Sequence, residues 1–239
     1  MKLYPNIHSA TFLARPNRFI ARCALNGQEV IAHVKNTGRC RELLLPHAPV
    51  YLTENDDPKR KTRYDLVTVM KDGKPVNLDS QAPNRVFGAW AASGGFLPNL
   101  TDLKPETVYG ASRFDFAFRQ NGRQGYAEIK GVTLETDGVA YFPDAPTLRG
   151  VKHIEELIRA QGEGCLTYLC FVIPLMGVHA LRPNDATHPA FGTALRRARE
   201  AGVTLLALTC DVAPDGFSIT GQVPVELGNY GSNPARVSG

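Results

Sequence analysis

The chain is poor in the features that mark several protein classes. Its five cysteines (Cys23, Cys40, Cys165, Cys170, Cys210) are odd in number, form no CxxC and have no histidine nearby at zinc spacing. That excludes a disulfide framework and a zinc finger. Cys170 and Cys210 sit inside apolar runs, so the thiols are expected to be reduced and mostly buried. Met1 to Leu13 contains one Lys and no sustained apolar run, which fits neither a signal peptide nor a membrane span and leads us to expect a cytoplasmic protein. No internal repeat or low-complexity tract occurs. Neither G-x-G-x-x-G nor G-x-x-x-x-G-K-S/T is found, so no nucleotide-binding motif is present, and nothing points to heme or flavin.

The 239 residues are 43% hydrophobic and 21% charged, enough for a sizeable core and unlike a disordered chain. Charge is divided unevenly. Residues 1–80 carry 13 Lys and Arg against 8 Asp and Glu, whereas residues 81–239 carry 14 against 15. All of the net charge of +4 therefore comes from the first third. A basic segment beside a near-neutral remainder suggests an anionic partner, nucleic acid first and a membrane surface second; a solvated charged face is the alternative.

Residues 1–80 read as an all-β domain. Strand-like runs span 19–25, 28–34, 50–53, 64–70 and 76–78, with Asn26-Gly27 and Asp72-Gly73 as hairpin turns and a single helical turn around 39–44. Five strands with one small interruption predict a Greek-key barrel of the OB type. OB barrels hold nucleic acid with basic grooves and stacking aromatics. The candidates here are Arg15, Arg18, Arg22, Lys35, Arg39, Arg41 and the run Lys59-Arg60-Lys61, with Phe19, Tyr51 and Tyr64. The polar stretch 79–84 is the expected domain boundary.

Residues 81–239 read as α/β, with a fraying tail from about 228. A helical run to about 93 precedes strands near 112–119, 123–130 and 138–142. A helix over 147–161, an apolar strand over 165–173, a helix over 188–201 and a strand over 203–210 follow. Leu148, Val151, Ile154, Leu157 and Ile158 form one stripe of the first long helix. This order predicts a mixed sheet covered on both faces.

One hairpin carries acidic chemistry. In Arg113-Phe114-Asp115-Phe116-Ala117-Phe118 the alternation places Asp115 opposite the three Phe, and in the next strand Tyr126, Glu128 and Lys130 share a face. A two-residue turn at Asn121-Gly122 sets Gln120 against Arg123 and, by the same register, Asp115 against Glu128. Like charges directly opposed in a sheet repel. A hard divalent cation, Mg²⁺ or Mn²⁺, would offset that repulsion. Lys130, about 6.5 Å further along the strand, could steady a phosphate or a water, an arrangement suited to metal-assisted phosphodiester hydrolysis. The alternative is a solvated face on which the acids pair with Arg113 and Lys130. Downstream, Asp144 or Thr147 can cap the helix that begins near Pro146. Arg149, Lys152 and His153 on its first turns, with free N–H groups, make a phosphate site.

These segments carry a resemblance. Ser112-Arg113-Phe114-Asp115-Phe116, Glu128-Ile129-Lys130-Gly131-Val132-Thr133-Leu134, and Phe142-Pro143-Asp144-Ala145-Pro146-Thr147 with Arg149-Gly150 and Lys152-His153 resemble the sugar fermentation stimulation protein A family. Asn36-Thr37-Gly38-Arg39, Glu42-Leu43-Leu44 and Pro83-Asn84-Arg85 extend the resemblance over nearly the whole chain. It implies an N-terminal OB domain, a C-terminal domain of the PD-(D/E)xK nuclease-like fold, DNA binding, and a link to regulation of sugar, chiefly maltose, metabolism. By position, Asp115 is the first acid, Glu128 the second and Lys130 the motif lysine. A third metal ligand is left among Asp144, Glu106 and the carbonyl of Ile129, with Asp144 preferred. Two functions follow: a Mg²⁺- or Mn²⁺-dependent nuclease, or a DNA-binding regulator that uses the fold only for binding. RNA in place of DNA, and a monomer or a homodimer, both remain open.

Overall fold

The computed structural model describes residues 1–36, 38, 40–110 and 112–228. The first domain is a barrel of β1 (Ile7–Asn17), β2 (Ile20–Leu25), β3 (Gln28–Val34), β4 (Pro49–Glu54), β5 (Tyr64–Lys71) and β6 (Lys74–Asn77) in the order β3-β2-β1-β4-β5-β6, closed by a parallel pairing of β3 with β5. Both expected hairpin turns form with left-handed backbone at Asn26 (φ 51°), Gly27 (φ 78°), Asp72 (φ 50°) and Gly73 (φ 75°). Such turns match the strand twist. Alternation puts Ala21, Cys23 and Leu25 of β2 inside with Phe12, Leu52 and Leu66. The strand β1 lies outside the sequence expectation because it scarcely alternates: only Ala10 and Phe12 are buried, and two register irregularities bend it. The turn near residue 40 also forms, Leu43 and Leu44 N–H donating to Cys40 O, and both leucines are buried.

The second domain comprises α1 (Ala82–Ala92), β7 (Leu100–Tyr109), β8 (Ser112–Gln120), β9 (Arg123–Gly131), β10 (Leu134–Thr136), β11 (Val139–Phe142), α2 (Leu148–Gly162), β12 (Leu166–Ile173), β13 (Ala180–Pro183), α3 (Pro189–Glu200), β14 (Thr204–Ala213) and β15 (Gly216–Val223). Its main sheet runs β15-β14-β12-β9-β8-β7, with β12 parallel to both β9 and β14 and the outer pairs antiparallel. Helix α1 covers one face through Val86 and Phe87, packed with Phe116, Phe118, Cys170 and Val172. Helices α2 and α3 cover the other through Ile154, Leu157, Phe191 and Leu195, in a cluster that continues into the barrel through Val76 and Leu78. A small sheet, β10-β11-β13, flanks this face.

The segment between the domains is packed tightly. Asp79 is buried, receives the Tyr4 hydroxyl at 3.2 Å and the Gln81 N–H at 2.9 Å, and Pro83 then starts α1. Four of the five cysteines are buried and all five are free thiols. Among the described residues, no helix is long and apolar enough to cross a membrane.

Candidate functional site

The turn at Asn121 (φ 50°) and Gly122 (φ 81°) sets the β8–β9 register expected from sequence, from Gln120 opposite Arg123 to Phe116 opposite Ala127. The paired ladder stops there, one step short of Asp115 and Glu128. Instead, the Asp115 carboxylate accepts the Ile129 N–H at 2.7 Å on one oxygen and Asn84 Nδ2 at 2.7 Å on the other. A side chain thus takes over where a strand carbonyl would have paired. The end of the ladder also corrects the expected alternation. Phe116 and Phe118 pack with α1, whereas Phe114 stacks on Tyr109 and lies against Tyr126, in the core that includes Ile154 and Leu157.

Glu128 is the most enclosed of the three motif residues, its side chain 2% exposed. Its Oε1 accepts Lys130 Nζ at 2.6 Å and is also hydrogen-bonded to His153 Nδ1. Arg149 Nε donates to His153 Nε2 at 3.3 Å. Because an arginine N–H can only donate, Nε2 must be the unprotonated nitrogen, which assigns the proton to Nδ1, facing Glu128. The other oxygen, Oε2, is buried and has no hydrogen-bond partner among the described residues. A carboxylate oxygen left in that state is costly unless something else meets it.

The two acids are driven apart in acidity. Burial, and then the charge of Glu128, push the Asp115 carboxyl above the usual range, against the opposing pull of the Ile129 N–H, Lys130 and Asn84. Burial also pushes Glu128 up, but the His153 hydrogen bond and Lys130 outweigh it and hold that carboxyl below the usual range. Carboxylates so separated by their surroundings are common where charge chemistry occurs.

Two oxygen donors, one of them orphaned and buried, fit a hard cation that completes its shell with water or substrate oxygen. The expected third side-chain ligand is not assembled. Among the described residues no three His, Cys, Asp or Glu side chains stand close enough to hold a metal ion. Asp144 lies instead against the barrel: a Cβ on Gly38 would be 2.6 Å from its Oδ2. Glu106 is exposed and paired with Arg113. Ile129 offers its N–H to Asp115.

At the start of α2, Thr147 rather than Asp144 is the cap, its Oγ1 accepting the Gly150 N–H at 3.0 Å. Arg149 and Lys152 are exposed at this end, but His153 is 6% exposed and turned to Glu128, which corrects its place on the outer edge. Helix geometry puts residue 153 one turn on from 149, and burial of Ile154 and Leu157 rotates it inward.

The barrel cations divide by partner. Lys35 and Arg60 both converge on Asp65, which is 1% exposed, Lys35 Nζ at 3.0 Å and Arg60 through both terminal nitrogens. Arg22 forms a bidentate pair with Glu29 at 2.7 Å. Arg18 lies 4.7 Å from the exposed ring of Phe19, and Arg41, Lys59 and Lys61 are exposed. Arg39 lies outside the described residues, as does the tail from 229. Asn84, the clamp on Asp115, stood in the sequence only as part of Pro83-Asn84-Arg85, and its role was hidden because 31 residues separate it from the carboxylate it holds.

The comparisons with known proteins agree with this architecture. Residues 81–216 match the model of the sugar fermentation stimulation protein RE domain, and residues 13–78 that of the SfsA N-terminal OB domain. Sugar fermentation stimulation protein homologs from Desulfitobacterium hafniense (strain DSM 10664 / DCB-2) and Clostridium beijerinckii are 49% and 46% identical over 94% of this chain, covering 98% and 99% of their own lengths. The structure of Pyrococcus furiosus SfsA in complex with Ca²⁺ superposes with a TM-score of 0.86 at 28% identity, covering 95% of this chain and 98% of that one. With both domain models and near-full-length relatives in agreement, the chain belongs to the sugar fermentation stimulation protein (SfsA) family.

Proposed function

We propose that the protein binds DNA and hydrolyses its phosphodiester bonds at Asp115, Glu128 and Lys130, using Mg²⁺ or Mn²⁺. The observation that carries this reading is the buried, partnerless Oε2 of Glu128 beside an Asp115 whose acidity is weakened by burial and by that same Glu128. A hard divalent cation would meet that oxygen and offset the repulsion between the two acids. A bound divalent ion would polarise a phosphoryl oxygen and lower the pKa of a water. The Pyrococcus furiosus relative is a complex with Ca²⁺, an ion that, like Mg²⁺, prefers carboxylate oxygen.

The remaining groups orient and neutralise. Asn84 and the Ile129 N–H fix the Asp115 carboxylate. His153 fixes Glu128 through Oε1, and the second oxygen is left available. Lys130 places an ammonium 2.6 Å from Glu128, from where it can steady negative charge developing on a phosphate. Arg149 and Lys152, exposed at the start of α2, supply cations for the phosphate backbone.

A second reading, DNA binding without hydrolysis in a regulator of sugar metabolism, draws on the missing third carboxylate among the described residues and on the name borne by the relatives. Labelled single- and double-stranded DNA and RNA, incubated with Mg²⁺, Mn²⁺ or EDTA, separate the two. Asp115→Asn is expected to lose metal-dependent cleavage and bind DNA as well as or better than the parent, since one repulsive charge is gone. Equal cleavage by parent and variant would remove Asp115 from the chemistry.

A further inference from the structure

Between the barrel and the α/β domain lies a partly open cavity of about 160 Å³ that the carboxylate site does not use. An engineered cavity of about 150 Å³ admits benzene, so this volume takes one planar ring. Its position ties it to the carboxylates. Gly131, directly after Lys130, and Pro83, directly before Asn84, both line it, and consecutive Cα atoms are only about 3.8 Å apart. A Cβ on Gly131 would lie 2.8 Å from Pro83 Cγ. The wall nearest the carboxylates is therefore bare backbone packed on a proline ring.

The barrel builds the opposite wall from Asn36 and Gly38, and both residues are firmly held. Arg15 donates to the carbonyls of Asn36 (2.7 Å), Gly38 (2.9 Å) and Arg18 (2.7 Å). Asn36 donates to Leu78 O at 2.9 Å and accepts the Gly38 N–H at 2.8 Å. The missing Cβ of Gly38 lets the Asp144 carboxylate lie against the loop. Asn36 and Gly38, which stood out in the sequence without a role, thus shape a cavity rather than the barrel.

The lining selects the chemistry of a ligand. Among the described residues no Lys or Arg lines the cavity, whereas Asp79, Thr133, Tyr141 and Asp144 do. The carboxylates of this lining disfavour phosphate and favour a ring whose edge donates hydrogen bonds. The Asp79 carboxylate is already occupied by Tyr4 and Gln81. Asp144 is exposed, receives no hydrogen bond from a described residue and is the acceptor with capacity to spare. We infer that the cavity receives one nucleobase of the bound strand, unstacked from its neighbours, with Asp144 accepting from its exocyclic amine. Carboxylates accept from cytosine N4, and thymine has no such donor. Unstacking is least costly in a single strand, so the occupant is a base of single-stranded or locally opened DNA.

This inference rests on the nucleic-acid binding proposed above but not on turnover, so binding is measured in EDTA. Fluorescence anisotropy compares oligo(dT) with the same oligonucleotide carrying one central cytosine or one abasic residue. One good base contact discriminates by about tenfold or more. Wild-type protein is expected to bind the cytosine oligonucleotide about tenfold more tightly than oligo(dT) and to gain nothing from the abasic residue. Asp144→Ala, a change at an exposed side chain, is expected to lose that preference with its affinity for oligo(dT) unchanged. Equal binding of all three oligonucleotides by the wild type would overturn the inference and leave the DNA-binding reading standing. A cytosine preference that survives in Asp144→Ala would overturn it as well. Failure to bind any oligonucleotide or duplex would overturn both readings.

Discussion

Replacing His153 with Ala strips Glu128 of one of its two protein partners while leaving the carboxylate 2% exposed. His153 meets Glu128 as a neutral donor, and hydrogen bonds to charged groups contribute about 1.5–3 kcal/mol. Lys130 still meets Oε1, so the loss should be about 2 kcal/mol. At about 2–4 °C per kcal/mol for a chain of this size, the midpoint of thermal unfolding should fall by about 4–8 °C. Glu128→Gln keeps an acceptor for His153 and Lys130 and removes the repulsion with Asp115, so alone it should cost little. In the double variant the stranded charge no longer exists, and the cost of losing His153 should shrink by about 1–2 kcal/mol. Calorimetry on the four proteins closes the cycle. Additive effects, within about 0.5 kcal/mol, would refute the claim that His153 serves Glu128.

Three further outcomes follow from other parts of the fold. Thr147→Ala should cost about 1 kcal/mol by uncapping α2, with Thr147→Ser close to the parent in thermal melts. Gly125→Ala should cost about 1–3 kcal/mol in urea unfolding, because a Cβ there meets the buried Phe118 ring across the hairpin. Burial pushes the Asp65 carboxyl up, but Arg60 and Lys35 outweigh it and hold it below its usual range. Its stabilising contribution is therefore full above the unfolded pKa of about 3.9 and is lost as pH falls through the lower folded value. Asp65→Asn should accordingly be less stable than the parent near neutrality, and the gap should close in acid; a gap independent of pH would count against the network.

The sequence revealed the hairpin because Asn-Gly dictates both turn type and register, which carries the pairing to Phe116 and Ala127, one step short of Asp115 and Glu128. The main helices were legible for the same reason, through their stripes. Edge elements were not: β7 is largely exposed, contains Pro105 and a register irregularity, and has no alternation to read. Partners far apart in sequence were equally hidden. Nothing local says that Asn84 reaches Asp115, that His153 rotates inward to Glu128, or that Arg60 turns from the run Lys59-Arg60-Lys61 toward buried Asp65. A consequence for binding is that Lys59→Gln with Lys61→Gln, leaving Arg60 in place, is the cleaner test of the barrel surface. If both lysines touch phosphate, the salt dependence of DNA binding should fall by about 0.9 per contact; an unchanged slope would turn that surface away from the DNA.

The central claim is that Asp115 and Glu128 form a cation site for phosphodiester hydrolysis, and cleavage set beside retention tests it most directly. Purified parent and Glu128→Ala proteins are incubated with labelled single- and double-stranded DNA in Mg²⁺, Mn²⁺ or EDTA, with both outcomes scored on the same samples. The account predicts cleavage by the parent with either metal, none in EDTA, none by the variant, and DNA retained by both proteins. Retention without cleavage by the parent under every metal condition would contradict it and leave a protein that only binds DNA.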